Sequence, residues 1–204
     1  MAEITAPPAA AEAEHAPPAG PLDFEIVPLK GLPIVAVIMA LLIAAIASNK
    51  LWPLTFFHVA GGAAWTIIDL FLGLVLGPIM GRMSVPARIE FTTKLMPKMV
   101  LIMPTVVTAT LAAGWQLATY LGTNLTSNPL HGWVVASMIV VGVMAILALG
   151  LLEPANIAVL FELKKPRPNP VIIERLMKRF IYCAGILGIM QVATLVIMTK
   201  LSSG

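Results

Sequence analysis

Charged residues are scarce in this chain of 204 residues, since aspartate, glutamate, lysine and arginine together make up 11% of it. A soluble globular domain has about 25% charged residues. Hydrophobic residues account for 59% of the chain. This composition excludes an ordinary soluble domain and predicts an integral membrane protein. The net charge of +3 is small, so we expect contact with the lipid bilayer and no binding of nucleic acid.

Sequence motifs for several kinds of chemistry are also missing. The single cysteine, Cys183, cannot form an intramolecular disulfide, and its apolar surroundings indicate a packing role. The sequence contains no glycine-rich phosphate loop, no cysteine-based metal motif and no Ser/His/Asp arrangement. It also lacks the internal repeat that many secondary transporters show. Whether the protein is an enzyme stays open on these grounds.

Five long apolar segments follow residues 1–30, a Pro/Ala-rich acidic stretch that we expect to be a disordered tail. Each segment is near or above the roughly 20 residues that a helix needs to cross a bilayer. The segments are Gly31–Ser48, Pro53–Met80, Leu95–Leu121, Gly132–Leu152 and Phe180–Thr199. The sequence therefore predicts an all-α polytopic membrane protein, in which residues 31–204 form a bundle of about five transmembrane helices.

The stretch between the fourth and fifth segments contains several prolines. Pro154 is expected to end or kink the fourth helix. Ile157, Leu160 and Phe161 then predict a short interfacial helix, which "KKPRPNP" interrupts at the level of the lipid headgroups.

The distribution of lysine and arginine predicts the orientation of the chain. "GTNLTSNPLHG", residues 122–132, has neither residue, whereas the regions after the second and fourth helices are basic. Their basic residues are Arg82, Arg88, Lys94, Lys98, Lys164, Lys165, Arg167, Arg175, Lys178 and Arg179. Cytoplasmic loops carry the excess of these residues. We therefore expect a cytoplasmic N-terminus and an outer C-terminus in a cell inner (plasma) membrane.

The positions of the aromatic residues provide independent support for this orientation. Trp52, Trp115, Tyr120 and Trp133 all fall near the outer boundary, where an aromatic belt is expected.

Two ionisable residues lie within the second apolar segment, in "TFFHVAGGAAWTIIDLF". His58 and Asp69 are eleven residues apart, which is about three helical turns and roughly 16 Å along the axis. Both side chains therefore share a face of the helix. Because ionisable groups facing lipid are costly, we expect this face to point into the protein or a water-filled cavity.

A second histidine and several glycines extend this candidate site. His131 begins the fourth helix, so His58 and His131 would hold haem iron or a copper ion together if helices two and four were neighbours. Alternatively, His131 is an ordinary interfacial residue. Gly61 and Gly62 leave room either for another helix or for a flat cofactor. Three further glycines at four-residue spacing in the same segment predict packing against another helix; they are Gly73, Gly77 and Gly81.

Methionines in the third segment offer a different chemistry. Met96, Met99 and Met103 lie on one helix face, and thioethers suit Cu(I). A methionine stripe at this spacing is more often packing. Lys94 and Lys98, beside the stripe, are expected to extend to the cytoplasmic headgroups.

Two stretches of the sequence resemble known membrane proteins, the first both the CopD-like and the HemJ-like proteins and the second a helix of the HemJ-like proteins. They are "FFHVAGGAAW" (Phe56–Trp65) and "KLMPKMVLIMPTVVTATLAAGWQLA" (Lys94–Ala118). The resemblance implies haem b binding or copper handling in a prokaryotic inner membrane. It matches His58 to the histidine that holds haem in HemJ-like enzymes, and Lys94 or Lys98 to their lysine.

The chain also departs from that group. The HemJ-like enzymes oxidise protoporphyrinogen and carry an "LPR" segment after the tryptophan, where this chain reads "IIDLFLGLVLGP". The resemblance is therefore extended to the scaffold and to His58, and not to the reaction.

Three functions remain open at this point. The first is a membrane redox protein with haem b on His58 near the outer face. The second is a non-catalytic accessory subunit, bound to a larger membrane complex or to copies of itself. The third is a permease for copper or another small solute, with His58, Asp69 and the methionines along its path.

The predicted orientation can be tested by cysteine labelling. In a variant with Cys183 replaced by alanine, an impermeant thiol reagent added outside should label a cysteine at Thr126 and not one at Pro168. The reason is that the first position lies in the loop free of lysine and arginine and the second in the basic region. Labelling of Pro168→Cys from outside intact cells would contradict the assignment.

Overall fold

The structure is a computed structural model of the chain, and it describes residues 23–203. Five long helices form a bundle. Residues 23–203 contain helices and no strand. The helices are α1 (Leu29–Ser48), α2 (Leu51–Arg82), α3 (Val85–Tyr120), α4 (His131–Leu163) and α5 (Pro170–Ser203). Each is long and apolar enough to cross a membrane. The prediction of an all-α polytopic fold is therefore confirmed.

The predicted tail, residues 1–30, falls mostly outside the described residues. Within the described part, Phe24 and Ile26 pack against the main hydrophobic core. The Nζ atom of Lys164 lies 5.5 Å from the centroid of the Phe24 ring, a distance at which a cation and an aromatic ring attract each other. The chain just before α1 therefore contacts the end of α4.

Three helices extend much further toward the basic end than the apolar segments predict. α3 begins at Val85 instead of Leu95, α5 begins at Pro170 instead of Phe180, and α4 ends at Leu163 instead of Leu152. The extensions of α3 and α5 carry ion pairs between side chains one turn apart on the helix surface. Lys94 Nζ lies 2.5 Å from Glu90 Oε1, and Lys178 Nζ lies 2.7 Å from Glu174 Oε1. Much of the predicted basic loop sequence is therefore helical.

Pro154 does not end α4, and the short helix predicted after it is present as a continuation of α4. A π-helical segment, Ala148–Leu152, precedes an α-helical segment that runs over Glu153–Leu163. Pro154 lies in the first turn of that second segment, where a proline is tolerated because its missing N–H removes no necessary hydrogen bond. Leu160 is fully buried, so this segment is part of the bundle.

The bundle is organised around α3. This helix packs against α1, α2 and α4, and α5 packs against both α2 and α4. The helices α2 and α4 therefore lie at opposite corners of a four-helix ring. Only Leu42 and Ala45 are buried on the α1 segment Leu32–Ser48, which leaves most of α1 facing lipid.

The methionine face of α3 lies within the main hydrophobic core. Met96 and Met103 are buried there, and Met99 packs against it from a partly buried position. The sequence left two roles open for these methionines, copper binding and packing, and the contacts in the structure are those of packing.

The contact between α2 and α5 depends on glycine. A Cβ atom on Gly73 would lie 2.9 Å from the Cα atom of Gly185, and one on Gly77 would lie 2.8 Å from Cγ2 of Ile181. Farther along α5, Gly188 faces Leu70, whose Cδ2 would be 3.0 Å from an added Cβ. A Cβ atom on Gly81 would have no atom of residues 23–203 outside its own helix segment within 4 Å. The predicted packing motif therefore corresponds to Gly73 and Gly77, and Gly81 does not take part.

Alanine substitutions distinguish the packed glycine from the open one. We expect Gly73→Ala to lower the stability of the detergent-solubilised protein by about 1–3 kcal/mol, as overpacking does. The contacted atoms belong to the backbone of α5 and cannot rotate away. Thermal unfolding should show a lower midpoint for this variant.

Gly81→Ala is the matched control. It adds the same methyl group to the same helix in open space, and alanine is the better helix former by about 1 kcal/mol. Its unfolding midpoint should equal or exceed that of the wild type. Equal midpoints for the two variants would contradict the close contact at Gly73.

Candidate functional site

His58 lies at the contact between α2 and α3. Its Nδ1 atom is 3.0 Å from the backbone carbonyl oxygen of Thr110. A carbonyl can only accept, so the hydrogen bond requires that Nδ1 carry the proton. In the neutral ring, Nε2 is then unprotonated and has a lone pair to offer. The side chain is partly buried, and its orientation is fixed by α3.

A glycine on α3 makes room for the imidazole ring. A Cβ atom on Gly114 would lie 2.6 Å from both Cε1 and Nδ1 of His58. No side chain fits at that separation, so the ring can occupy this position only because residue 114 is glycine. Gly114 thus positions His58 without taking part in any chemistry.

The glycines beside His58 do not form an open cofactor face. A Cβ atom on Gly61 would lie 2.5 Å from Oγ1 of Thr110, and one on Gly62 would lie 3.7 Å from its Cγ2. Thr110 therefore occupies the space that these glycines leave. Of the two roles that the sequence left open for Gly61 and Gly62, the contacts in the structure are those of helix packing.

The structure does not bring His58 and His131 together. His131 is the first residue of α4, and α2 and α4 are not among the helix pairs that pack against each other within residues 23–203. The Nδ1 atom of His131 is buried and has no hydrogen-bond partner in the described part of the chain. A site that uses both histidines of one chain is therefore not formed.

The two lysines suggested by the resemblance are also far from His58. Lys94 and Lys98 precede Thr110 on α3 by sixteen and twelve residues, which is about 24 Å and 18 Å along the helix axis. Lys94 is exposed and paired with Glu90. Neither lysine can bind the same metal ion as His58. No group of three or more His, Cys, Asp or Glu side chains placed to hold a metal occurs among the residues searched, 23–203.

A second polar site lies deeper in the bundle, around Asp69. The carboxyl group is fully buried, and it faces protein rather than lipid. The side-chain amide of Gln191, from α5, and the indole of Trp65, one turn away on α2, face it. Gln191 and Trp65 are themselves buried, with exposed fractions of 3% and 2%. Three side chains from two helices therefore converge on one point inside the apolar region.

Thr66 fixes the orientation of the Gln191 amide. Its hydroxyl oxygen lies 2.9 Å from Oε1 of Gln191 and 2.8 Å from the carbonyl oxygen of Gly62, and its proton is shared between them. Because Oε1 accepts from Thr66, the Nε2 group of Gln191 is the part that is free to face Asp69. The amide therefore presents donors to the carboxyl group.

The polar atoms at this site are not paired with one another by aligned hydrogen bonds. Both carboxyl oxygens of Asp69, Nε2 of Gln191 and Nε1 of Trp65 are buried without a partner among residues 23–203. Buried polar groups in proteins nearly always have a partner, so such a group of atoms requires an explanation.

Gln191 carries a signal that the sequence analysis did not use. It stands alone in "GILGIMQVATLVIM", and an isolated polar residue within a membrane helix indicates an interior or functional position.

Glu153 and Asn156 form a further buried pair that the sequence analysis missed. Nδ2 of Asn156 donates to the carbonyl oxygen of Met96 over 3.4 Å. Its Oδ1 atom and both carboxyl oxygens of Glu153 are buried and unpaired in the described part of the chain. The spacing of three residues would have placed both side chains on one helix face. The pair was missed because the fourth helix was expected to end before it, at Leu152.

The two carboxyl groups that are buried without a hydrogen-bond partner among residues 23–203, those of Asp69 and Glu153, lie next to π-helical segments. The segment Phe71–Leu76 begins two residues after Asp69, and Ala148–Leu152 ends immediately before Glu153. Helix α5 packs against both segments. Such segments interrupt the regular backbone ladder and are frequent at functional sites.

No protein-family model, no curated protein and no solved structure matches the chain. The resemblance to the CopD-like and HemJ-like proteins therefore depends on the two stretches of sequence that carry it.

Proposed function

We propose that the chain is an integral membrane redox protein that binds haem b, with Nε2 of His58 as an axial ligand. The observation that carries this proposal is the contact between the two stretches that resemble the CopD-like and HemJ-like proteins. Phe56–Trp65 lies on α2 and Lys94–Ala118 on α3. They meet at His58, whose ring lies against Gly114 and donates from Nδ1 to Thr110.

The side chain of His58 is suited to be one ligand of haem iron. A histidine that binds iron commonly donates its other ring N–H to a backbone carbonyl, which fixes the tautomer and orients the ring. The hydrogen bond from His58 to Thr110 has this form. When bound, haem b supplies one-electron transfer. This chain's contribution would be the nitrogen ligand on His58, oriented by Thr110, with space provided by Gly114.

The interior of the bundle does not offer the remainder of a haem pocket. Thr110 fills the face of Gly61, and His131, Lys94 and Lys98 are too far away to act as a second ligand. Within residues 23–203, His58 would therefore be the one side chain that holds haem. A second protein ligand would have to come from another protein or another copy of the chain.

The contacts of His58 also favour the accessory-subunit function as a second candidate. The ring occupies the space that Gly114 leaves on α3, and Gly61 packs against Thr110. These contacts would join α2 to α3 without any cofactor. In that case His58 has a structural role. The copper permease is less well supported, because Met96 and Met103 are buried within the core.

We also propose that the protein lies in the inner membrane of a cell, with the basic ends of its helices in the cytoplasm. This orientation puts His58, seven residues into α2, about 10 Å from the outer end of that helix. The exposed aromatic residues Trp52, Trp115, Tyr120 and Trp133 lie at the same end.

Replacement of His58 by alanine separates the two candidates. Wild-type protein from cells that can supply haem should show a Soret band, and His58→Ala should lose or shift it because the axial nitrogen is gone. His131→Ala, the matched histidine control, should keep the wild-type band. Absorption spectra and haem content of the purified proteins are the measurements.

Two results would contradict haem binding at His58. One is wild-type protein that is purified without haem from such cells, and the other is an unchanged Soret band in His58→Ala. If His58 only packs and hydrogen-bonds, its loss should cost about 0.6 kcal/mol and at most about 2 kcal/mol of stability, with no change in the spectrum.

A further inference from the structure

We propose that Asp69, Gln191 and Trp65 form a reversible proton-binding site inside the membrane region. The proton would be held on the Asp69 carboxyl group, and the two N–H donors that face it would stabilise the ionised form when the proton leaves. This site is separate from His58, and it does not depend on haem binding.

The first argument is the depth and burial of the site. Asp69 lies eighteen residues from the outer end of α2 and thirteen from its basic end, or about 27 Å and 20 Å along the helix. Its exposed fraction is 0%. An ionised carboxylate without a partner in such surroundings is costly, so the group has to be neutralised by a bound ion or a proton.

Among residues 23–203, no side chain supplies the neutralising positive charge. The polar side chains that act on Asp69 are Gln191 from α5 and Trp65 from its own helix, and the packed helices α1 and α3 direct no charged or titratable group at it in the described part of the chain. The ion pairs among residues 23–203 involve Glu90, Glu162 and Glu174. Glu153, the other carboxyl group that is buried without a hydrogen-bond partner in the described residues, faces Asn156 instead.

The chemistry of the surrounding atoms favours a proton over a metal ion. Nε2 of Gln191 and Nε1 of Trp65 are donors only, and their N–H dipoles point positive charge into the site. The side-chain oxygen of Gln191 already accepts from Thr66. An alkali ion would therefore find two carboxyl oxygens beside two repelling N–H groups. A proton on one carboxyl oxygen leaves the other free to accept from an N–H group.

The unpaired atoms indicate that the side chains at this site change their hydrogen-bond partners. The four buried atoms, two acceptors and two donors, are close together without aligned hydrogen bonds. The π-helical segment that begins at Phe71 distinguishes this part of α2 from a regular helix. We infer that the donors rotate onto the carboxyl group when it is ionised and release it when the proton binds.

Trp65 provides a direct optical probe of this site, since its indole N–H faces the carboxyl group. The test uses the full chain in liposomes with Trp52, Trp115 and Trp133 replaced by phenylalanine, which leaves Trp65 as the single tryptophan. Its emission is recorded as a function of pH in choline chloride. We expect the emission to follow a single protonation step.

Matched variants assign the titrating group. In the same background, Asp69→Asn keeps the shape of the side chain and should abolish the step. Glu153→Gln and His131→Ala should retain it. An emission that does not change with pH, or a step that survives in Asp69→Asn, would overturn the proposal. So would a step that is lost in Glu153→Gln.

Two further measurements keep the test decisive. If Asp69→Asn does not fold, Gln191→Met removes the amide donor and keeps the carboxyl group, and it must shift the midpoint of the titration; an unchanged midpoint overturns the proposal. Sodium chloride should have no effect on the emission at constant pH. A saturable response to sodium that requires Asp69 would replace the proton by a metal cation and contradict the assignment.

Discussion

The close approach of α2 to α3 and to α5 is the constraint on which the rest of the structure depends. On one side, Gly61 of α2 fits against Thr110, and Gly114 of α3 receives the ring of His58. On the other side, Gly73 lies against the backbone of α5 at Gly185. Lipid chains are as apolar as leucine, so helices in a membrane associate largely through such tight packing. The glycines allow it because they carry no side chain.

This packing also determines where the polar groups of α2 can lie. Within hydrocarbon, a polar group needs a partner from the protein itself. The contact with α3 gives His58 a backbone carbonyl, and the contact with α5 brings Gln191 toward Asp69. The two sites differ in one respect. The Nδ1 atom of His58 has its partner, whereas the buried atoms around Asp69 do not pair with one another within the described residues.

The number of helices and their central positions could be predicted from the sequence because bilayer thickness requires long apolar segments. The helix ends could not be predicted in this way. Arg88 and Lys94 made the start of α3 look like a basic loop, although Lys94 forms an ion pair with Glu90 one turn earlier on the surface of the helix. Pro154 suggested the end of α4, but a π-helical segment before it allows the helix to continue.

The candidate site was only partly predictable for a related reason. Hydrophobic periodicity indicates which face of a helix is buried, but it does not indicate which helix covers that face. His58 and His131 were both identified, yet the order of helices around the ring places α3 and α5 between them. The same limitation hid the contact of Gln191 with Asp69, since the two residues are more than one hundred positions apart.

The account depends most directly on the ring of His58 being held by α3 through Nδ1, with Nε2 left free. Solid-state NMR of protein labelled with 15N at histidine reports which ring nitrogen carries the proton, and His58→Ala identifies the signals of this residue. The account predicts that Nδ1 is protonated and hydrogen-bonded, and that Nε2 is unprotonated. A His58 ring with its proton on Nε2 would contradict it, because neither the hydrogen bond to Thr110 nor ligation by Nε2 would then be available.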